Sequence, residues 1–210
     1  MLSNYKHISF DLDGTLIHTL PEYRQKIVPS VISELQGVIN DQRHIDKFWF
    51  ETNRDQTIKK CFNIDPELFW ELFRKLDTEE KRSEHTVAYH DVEETLKKLK
   101  QMGKIISIVT GAPQKIAEIE IAKINPDCYD FIFSVRDSEY NEKPAPESLH
   151  FVLNKLAMQP QETIYIGNGD EDCYFAKNAG VDFIRIDRGE YDYDFGDGPI
   201  KTIKSLNELF

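Results

Sequence analysis

Cysteine is scarce in this chain, and what there is does not pair. Cys61, Cys128 and Cys173 are odd in number, widely spaced and without a CxxC; the pattern gives no disulfide framework and fits reduced thiols in a cytoplasmic compartment. Long apolar runs are also missing. The opening Met1-Leu2-Ser3-Asn4-Tyr5-Lys6 reaches acidic residues before a signal-length stretch develops, and no later run approaches membrane-spanning length. Positive charge is in deficit, with 26 Lys and Arg against 37 Asp and Glu, a formal net charge of -11. A nucleic-acid backbone or an anionic membrane would be repelled as a main partner, whereas a small phosphorylated molecule is acceptable wherever positive charge is local. Internal repeats and low-complexity linkers are absent. What remains is 210 residues, 40% of them hydrophobic, enough for one medium domain or a core carrying a smaller insert. The sequence leaves the oligomeric state open, and a monomer is consistent with it.

Two patterns divide the chain. From about Leu20 to Thr86 the spacing predicts helices and no strand. Ile27, Val31, Ile32 and Leu35 recur at helical intervals before Gly37, and Leu68, Phe69, Leu72, Phe73 and Leu76 mark an amphipathic helix after Asp65-Pro66. Phe48, Trp49, Phe50, Phe62 and Trp70 fit the core of a small helical bundle, with nucleotide stacking as the other use of such rings. From Asp91 onward helices alternate with short apolar strands. Val92, Leu96 and Leu99 form a stripe stopped at Gly103. Ile105 to Val109, Phe131 to Phe133, Thr163 to Ile166 and Phe183 to Ile186 join His7 to Phe10 as strands of a doubly wound parallel sheet, an α/β fold. Glu190 to Gly198 reads as a loop and Leu206 to Phe210 as a short terminal helix.

In such sheets the ligand site lies beyond the carboxyl ends of the strands, and four of those ends carry chemistry. Asp11 and Asp13, in Asp11-Leu12-Asp13-Gly14-Thr15, point to one face if the strand stays extended. Two ionised acids in one site repel, so they call for a shared proton or a bound cation; the same residues also suit an ordinary polar turn. Thr110-Gly111 offers a hydroxyl and backbone N–H groups for phosphate oxygens, or else a helix N-cap. Lys143 precedes a helix on a stretch stiffened by Pro144 and Pro146; its alternative is a solvated loop lysine. Gly167-Asn168-Gly169-Asp170-Glu171-Asp172 is a turn dense in oxygen ligands for a hard cation such as Mg2+, or a surface acidic turn.

Together, in order and spacing, these four ends resemble the motifs of the haloacid dehalogenase superfamily in its phosphatase branch, of the phosphoglycolate phosphatase-like type. Asp11 to Thr15 resembles the first motif, Thr110 the second, Lys143 with Pro144 the third, and Gly167 to Asp172, followed by Ala176 and Ala179-Gly180, the fourth. The resemblance implies a Rossmann-like core over residues 1–17 and 87–210 and a small all-helical cap over 18–86. It implies a phosphomonoester hydrolase that acts on a small phosphorylated metabolite through an aspartyl-phosphate. Asp11 is then the nucleophile, Asp13 the general acid and base, and Thr110, Gly111 and Lys143 the phosphate-binding residues. Mg2+ is then held by Asp11, the Asp13 carbonyl, Asn168 and Asp172.

One position departs from the pattern. Asn168 stands where the family usually carries an acid that ligates the metal. An amide oxygen still ligates Mg2+ but removes one negative charge, so the expectations divide between compensation by Asp170 or Asp172 and a metal-impaired protein with a metabolite-binding or regulatory role. Asp13 counts against dehalogenase and phosphonatase chemistry, both of which generally lack it, and leaves a sugar phosphomutase as the rival activity. Arg43, His44, Lys47 and Arg54 are cap residues that could reach a substrate or form a solvated face; Lys59 and Lys60 read as surface charge.

Overall fold

The computed structural model describes residues 2–193, 195, 198 and 200–210. The chain begins with β1 (His7–Phe10) and β2 (Ile17–Thr19), followed by five helices, α1 (Pro21–Glu34), α2 (Arg43–Phe50), α3 (Arg54–Thr57), α4 (Pro66–Leu76) and α5 (Glu79–Glu84). A π-helical turn, Ile58–Phe62, continues α3. Then come β3 (Thr86–Ala88), α6 (Val92–Gln101), β4 (Ile105–Thr110), α7 (Gln114–Ile121), β5 (Phe131–Ser134), α8 (Glu147–Lys155), β6 (Thr163–Gly167), α9 (Asp170–Asn178), β7 (Asp182–Ile186) and β8 (Lys201–Ile203). Two compact units result, Met1–His18 with Val87–Phe210, and Thr19–Thr86.

In the first unit six strands form one sheet in the order β5-β4-β1-β6-β7-β8, with every neighbouring pair parallel. β-Branched runs buried on both faces suit such strands. Ile8 and Phe10, Ile106 and Ile108, Ile164 and Ile166, and Ile184 and Ile186 bury one face against Val92, Leu96 and Leu99 of α6 and Ala117 of α7. The alternate residues Val109, Tyr165 and Phe183 bury the other against α8 and α9. That second face also holds polar groups in the middle of the sheet. His7 Nδ1 lies 3.1 Å from Thr163 Oγ1, His7 Nε2 lies 2.8 Å from Ser107 Oγ, and Ser107 Oγ lies 2.9 Å from Ser9 Oγ. The Thr163 hydroxyl donates to the Gln159 carbonyl, so it accepts from a His7 protonated at Nδ1.

β4 and β6 flank β1, so the chain winds away from β1 in both directions and opens a crevice at the carboxyl ends of these three strands. Phe10 is level with Ile108 and Ile166, and Asp11 emerges between Val109 and Gly167.

The second unit is helical, around a core of Val28, Val31, Ile32, Ile45, Phe48, Ile58, Phe62, Phe69 and Phe73. Its aromatic residues pack edge to face and stacked, Phe48 lying 5.0 Å from Phe69 and Phe69 5.8 Å from Phe73. Asp65 caps α4 by accepting from the N–H groups of Glu67 and Leu68. Two buried arginines complete the unit: Arg24 pairs with Asp46 at 2.9 Å, and Arg82 pairs with Asp77 at 2.9 Å beneath the Trp49 ring.

The strands β2, β3 and β8 were not anticipated, because three residues are too few to show a period. β2 and β3 pair with each other where the chain leaves and re-enters the first unit. The terminal helix is a 3-10 turn over Leu206–Leu209. Of the expected loop from Glu190 to Gly198, residues 194, 196 and 197 lie outside the described residues, and the others have no regular structure.

Candidate active site

β1 ends at Phe10, yet Asp11 N–H still donates to the Ile166 carbonyl at 2.9 Å, which holds Asp11 at the carboxyl end of the sheet's central strands. Asp11 is buried and Asp13 exposed. The extended-strand reading that put both on one face therefore stops short: the backbone turns between them. Gly14 takes φ +81°, and its N–H donates to the Ile17 carbonyl. A Cβ at Gly14 would stand 2.3 Å from Asn168 Nδ2, so the absent side chain is what lets the fourth-motif loop close onto the first.

Lys143 arrives from the loop before α8 and is buried. Its ammonium donates to Asp11 Oδ1 at 2.7 Å, to the Tyr165 hydroxyl at 2.8 Å and to Asp172 Oδ1 at 2.9 Å. Asp172, in the first turn of α9, accepts the Gly169 N–H on its other oxygen at 3.1 Å. Tyr165 donates to the Val109 carbonyl at 3.0 Å. Burial pushes the Asp11 carboxyl up to about 7, the Asp172 charge adding to the rise and Lys143 opposing it. Burial pulls the Lys143 ammonium down, but Asp11 and Asp172 outweigh it and hold the group well above its ordinary value. Burial likewise keeps Tyr165 a neutral phenol, with Lys143 acting against that shift and Asp172 for it.

The remaining expected residues surround this pair. Thr110 closes β4, and its Oγ accepts the Ala112 N–H at 3.0 Å, leaving its O–H as a donor. The helix N-cap alternative for Thr110 is not realised, since α7 is capped at Pro113. Nothing lies within 4 Å of a Cβ placed on Gly111, so the backbone there is open to an approaching anion. Thr15 Oγ1 is 3.3 Å from both Asp11 Oδ2 and Asn168 Oδ1, which brings a carboxylate and an amide oxygen around one hydroxyl. No group of three or more His, Cys, Asp or Glu side chains converges among the described residues; the candidate donors are instead one carboxylate, one amide and backbone carbonyls. These are hard oxygen ligands of the kind Mg2+ takes. Both oxygens of Asp172 are engaged, one by Lys143 and the other by the Gly169 N–H. In the helical unit, Arg43 pairs with Asp41, Lys47 with Glu51 and Arg54 with the Trp49 carbonyl.

The model of the haloacid dehalogenase-like hydrolases matches residues 8–186. The chain belongs to that family. Among haloacid dehalogenase-like relatives, it is 25% identical to a phosphoglycolate phosphatase of Salmonella typhimurium over 99% of this chain and 92% of that one. It is 27% identical to a pyrophosphatase of Bacillus mycoides over 85% and 82%. The crystal structure of a predicted phosphoglycolate phosphatase from Haemophilus somnus superposes with a TM-score of 0.80 at 20% identity, covering 100% of this chain and 98% of that one. This haloacid dehalogenase-like chain is accordingly a hydrolase of the phosphatase branch.

Sequence reasoning missed three residues that hold this family's site together here. Thr15 was visible four positions after Asp11. Tyr165 carried a weaker mark, a polar-tipped ring in an otherwise isoleucine-rich buried strand. Arg188 carried none: its guanidinium donates to the Thr15 carbonyl through Nη2 at 2.7 Å and Nε at 3.2 Å, pairs with Asp91 at 2.9 Å and lies over the Tyr89 ring.

Proposed function

We propose that this chain is a Mg2+-dependent phosphomonoester hydrolase acting on a small phosphorylated metabolite, in the manner of a phosphoglycolate phosphatase, with residues 18–86 as its helical cap. The observation that carries the reading is the buried Asp11–Lys143 pair at the carboxyl end of the central strand. A carboxylate placed there, charge-compensated and with an open backbone at Gly111 just past the end of the neighbouring β4, suits nucleophilic attack on phosphorus. An Asp11 oxygen forms the new P–O bond as the bond to the leaving oxygen breaks, and Asp13 supplies the proton to the departing alcohol. Asp13 then takes a proton from water, which attacks the aspartyl-phosphate, releases inorganic phosphate and restores the Asp11 carboxylate. Thr110 and Gly111 hold the phosphoryl oxygens, and the Lys143 charge offsets the anionic centre. Asp11, the Asp13 carbonyl and Asn168, backed by Asp172, are the residues that would hold Mg2+. When bound, the cation screens the anionic nucleophile from the anionic substrate.

The test is hydrolysis of para-nitrophenyl phosphate with and without Mg2+, followed by a panel of phosphorylated metabolites. Asp11→Asn is expected to lose more than about a hundred-fold in kcat, and an unchanged rate would sink the mechanism.

Asn168 supports a second reading, in which weak metal binding leaves a metabolite-binding or regulatory protein. Calorimetric titration with Mg2+ separates the two. If the present site is impaired, Asn168→Asp tightens metal binding by about ten-fold or more and raises turnover; if the site is compensated, neither changes.

A further inference from the structure

We propose that Tyr165 is a positioning residue of this centre, its phenol fixing the Lys143 ammonium on the carboxylate of Asp11; the proposal rests on the phosphatase reading above. An ammonium has three N–H groups, and here three oxygens receive them: Asp11 Oδ1 at 2.7 Å, Tyr165 Oη at 2.8 Å and Asp172 Oδ1 at 2.9 Å. With two acceptors the third N–H would turn toward whatever anion enters. With three, the orientation about Cε–Nζ is set before any substrate arrives.

Tyr165 is itself held firmly enough to set it. The ring is fully buried on β6, 5.4 Å edge to face with Phe175, and its own O–H donates to the Val109 carbonyl on β4 at 3.0 Å, the shorter of its two acceptor contacts. The phenol therefore spans from β6 past β1 to β4, and a backbone carbonyl fixes the lone pairs that face Lys143. Packing alone asks only for a ring at this place. The hydroxyl is what Phe would lack: it accepts from the Lys143 ammonium and donates to the Val109 carbonyl, with Asp172 Oδ1 a longer contact at 3.5 Å. It follows that Lys143 acts chiefly on the nucleophile, while phosphate recognition in the ground state falls to Thr110 and Gly111.

The variant is Tyr165→Phe. For para-nitrophenyl phosphate, kcat is expected to fall about ten-fold, with KM and the inhibition constant of inorganic phosphate unchanged within about two-fold. An independent readout is the Lys143 ammonium cross-peak in a 1H–15N spectrum, assigned by its loss in Lys143→Arg. It should be sharp in the wild-type protein and broadened in Tyr165→Phe, where one N–H has no acceptor. A fall in melting temperature with kcat and the ammonium peak unaltered would mean that the ring only packs, and overturns the proposal. So does a rise in KM that matches the fall in kcat. Should the wild-type protein hydrolyse no phosphate ester, the phosphatase reading fails on that count alone. The ammonium peak then still decides whether Tyr165 positions Lys143.

Discussion

Asp11 and Asp13 are two residues apart in sequence and in opposite surroundings, one buried against an ammonium and the other facing water. That contrast suits a division of labour: a desolvated carboxylate is the stronger nucleophile once its charge is met, and a solvated one exchanges protons freely. The glycine between Asp13 and Thr15 makes the contrast possible, and it gives a direct prediction. Gly14→Ala must adopt φ +81° and place a methyl 2.3 Å from Asn168. We expect a loss of about 1–2 kcal/mol in stability, with turnover of an aryl phosphate falling further than that loss explains, because the Asn168 loop is displaced. Urea unfolding alongside kcat measures both. At this scale Asp11 and Thr110 were legible because each closes an apolar run, and Lys143 and Asp172 because each stands in a polar stretch leading into a helix, all local patterns. Arg188 and Tyr165 were not, because their roles are set by partners far along the chain: Thr15 is 173 positions from Arg188 and Val109 is 56 from Tyr165.

Among elements, the central strand β1 combines two requirements. Its isoleucine and phenylalanine side chains supply one apolar face, while His7 and Ser9 keep polar groups fully buried on the other. The parallel strands themselves were legible as β-branched runs. The hydroxyl and imidazole chain between them was not, since a polar residue in such a run reads as surface until its cross-strand partners are known. Burial lowers the His7 pKa from 6.5 to about 4, the Asp130 charge opposing the shift. A folded value below the unfolded one means that the unfolded chain takes up the proton first. This group's contribution is therefore complete above about pH 6.5 and is lost as pH falls toward 4, a total of about 3 kcal/mol. Thermal melts across this range should show that slope in the wild-type protein and a shallower one in His7→Gln; parallel slopes would contradict it.

For the molecule as a whole, each of the two units has its own apolar core, and their unfolding can be followed separately. Both tryptophans, Trp49 and Trp70, belong to the helical unit, so tryptophan fluorescence reports on that unit alone. Phe69→Ala, which empties the centre of its aromatic cluster, should cost about 3–5 kcal/mol and lower the fluorescence transition. Mg2+ should instead raise the transition of the sheet unit, followed by circular dichroism, by about 2.7 kcal/mol at a hundred times its Kd, and chelation should remove the gain. The helical stretch before Asp91 and the alternation of helix and strand after it were legible from the change of period, while the ladder of β2 and β3 was too short to read. The clamp on Thr15 also sets an order of assembly during synthesis. Arg188 leans on Asp91, and Asp91 is held in turn by the Ser205 hydroxyl and the Leu206 N–H. The loop that carries Asp11 is synthesised before the residues that brace it. Its last support is added only when residue 206 has followed it out, so in a nascent chain Asp11 is fully braced only after every residue between them has been synthesised.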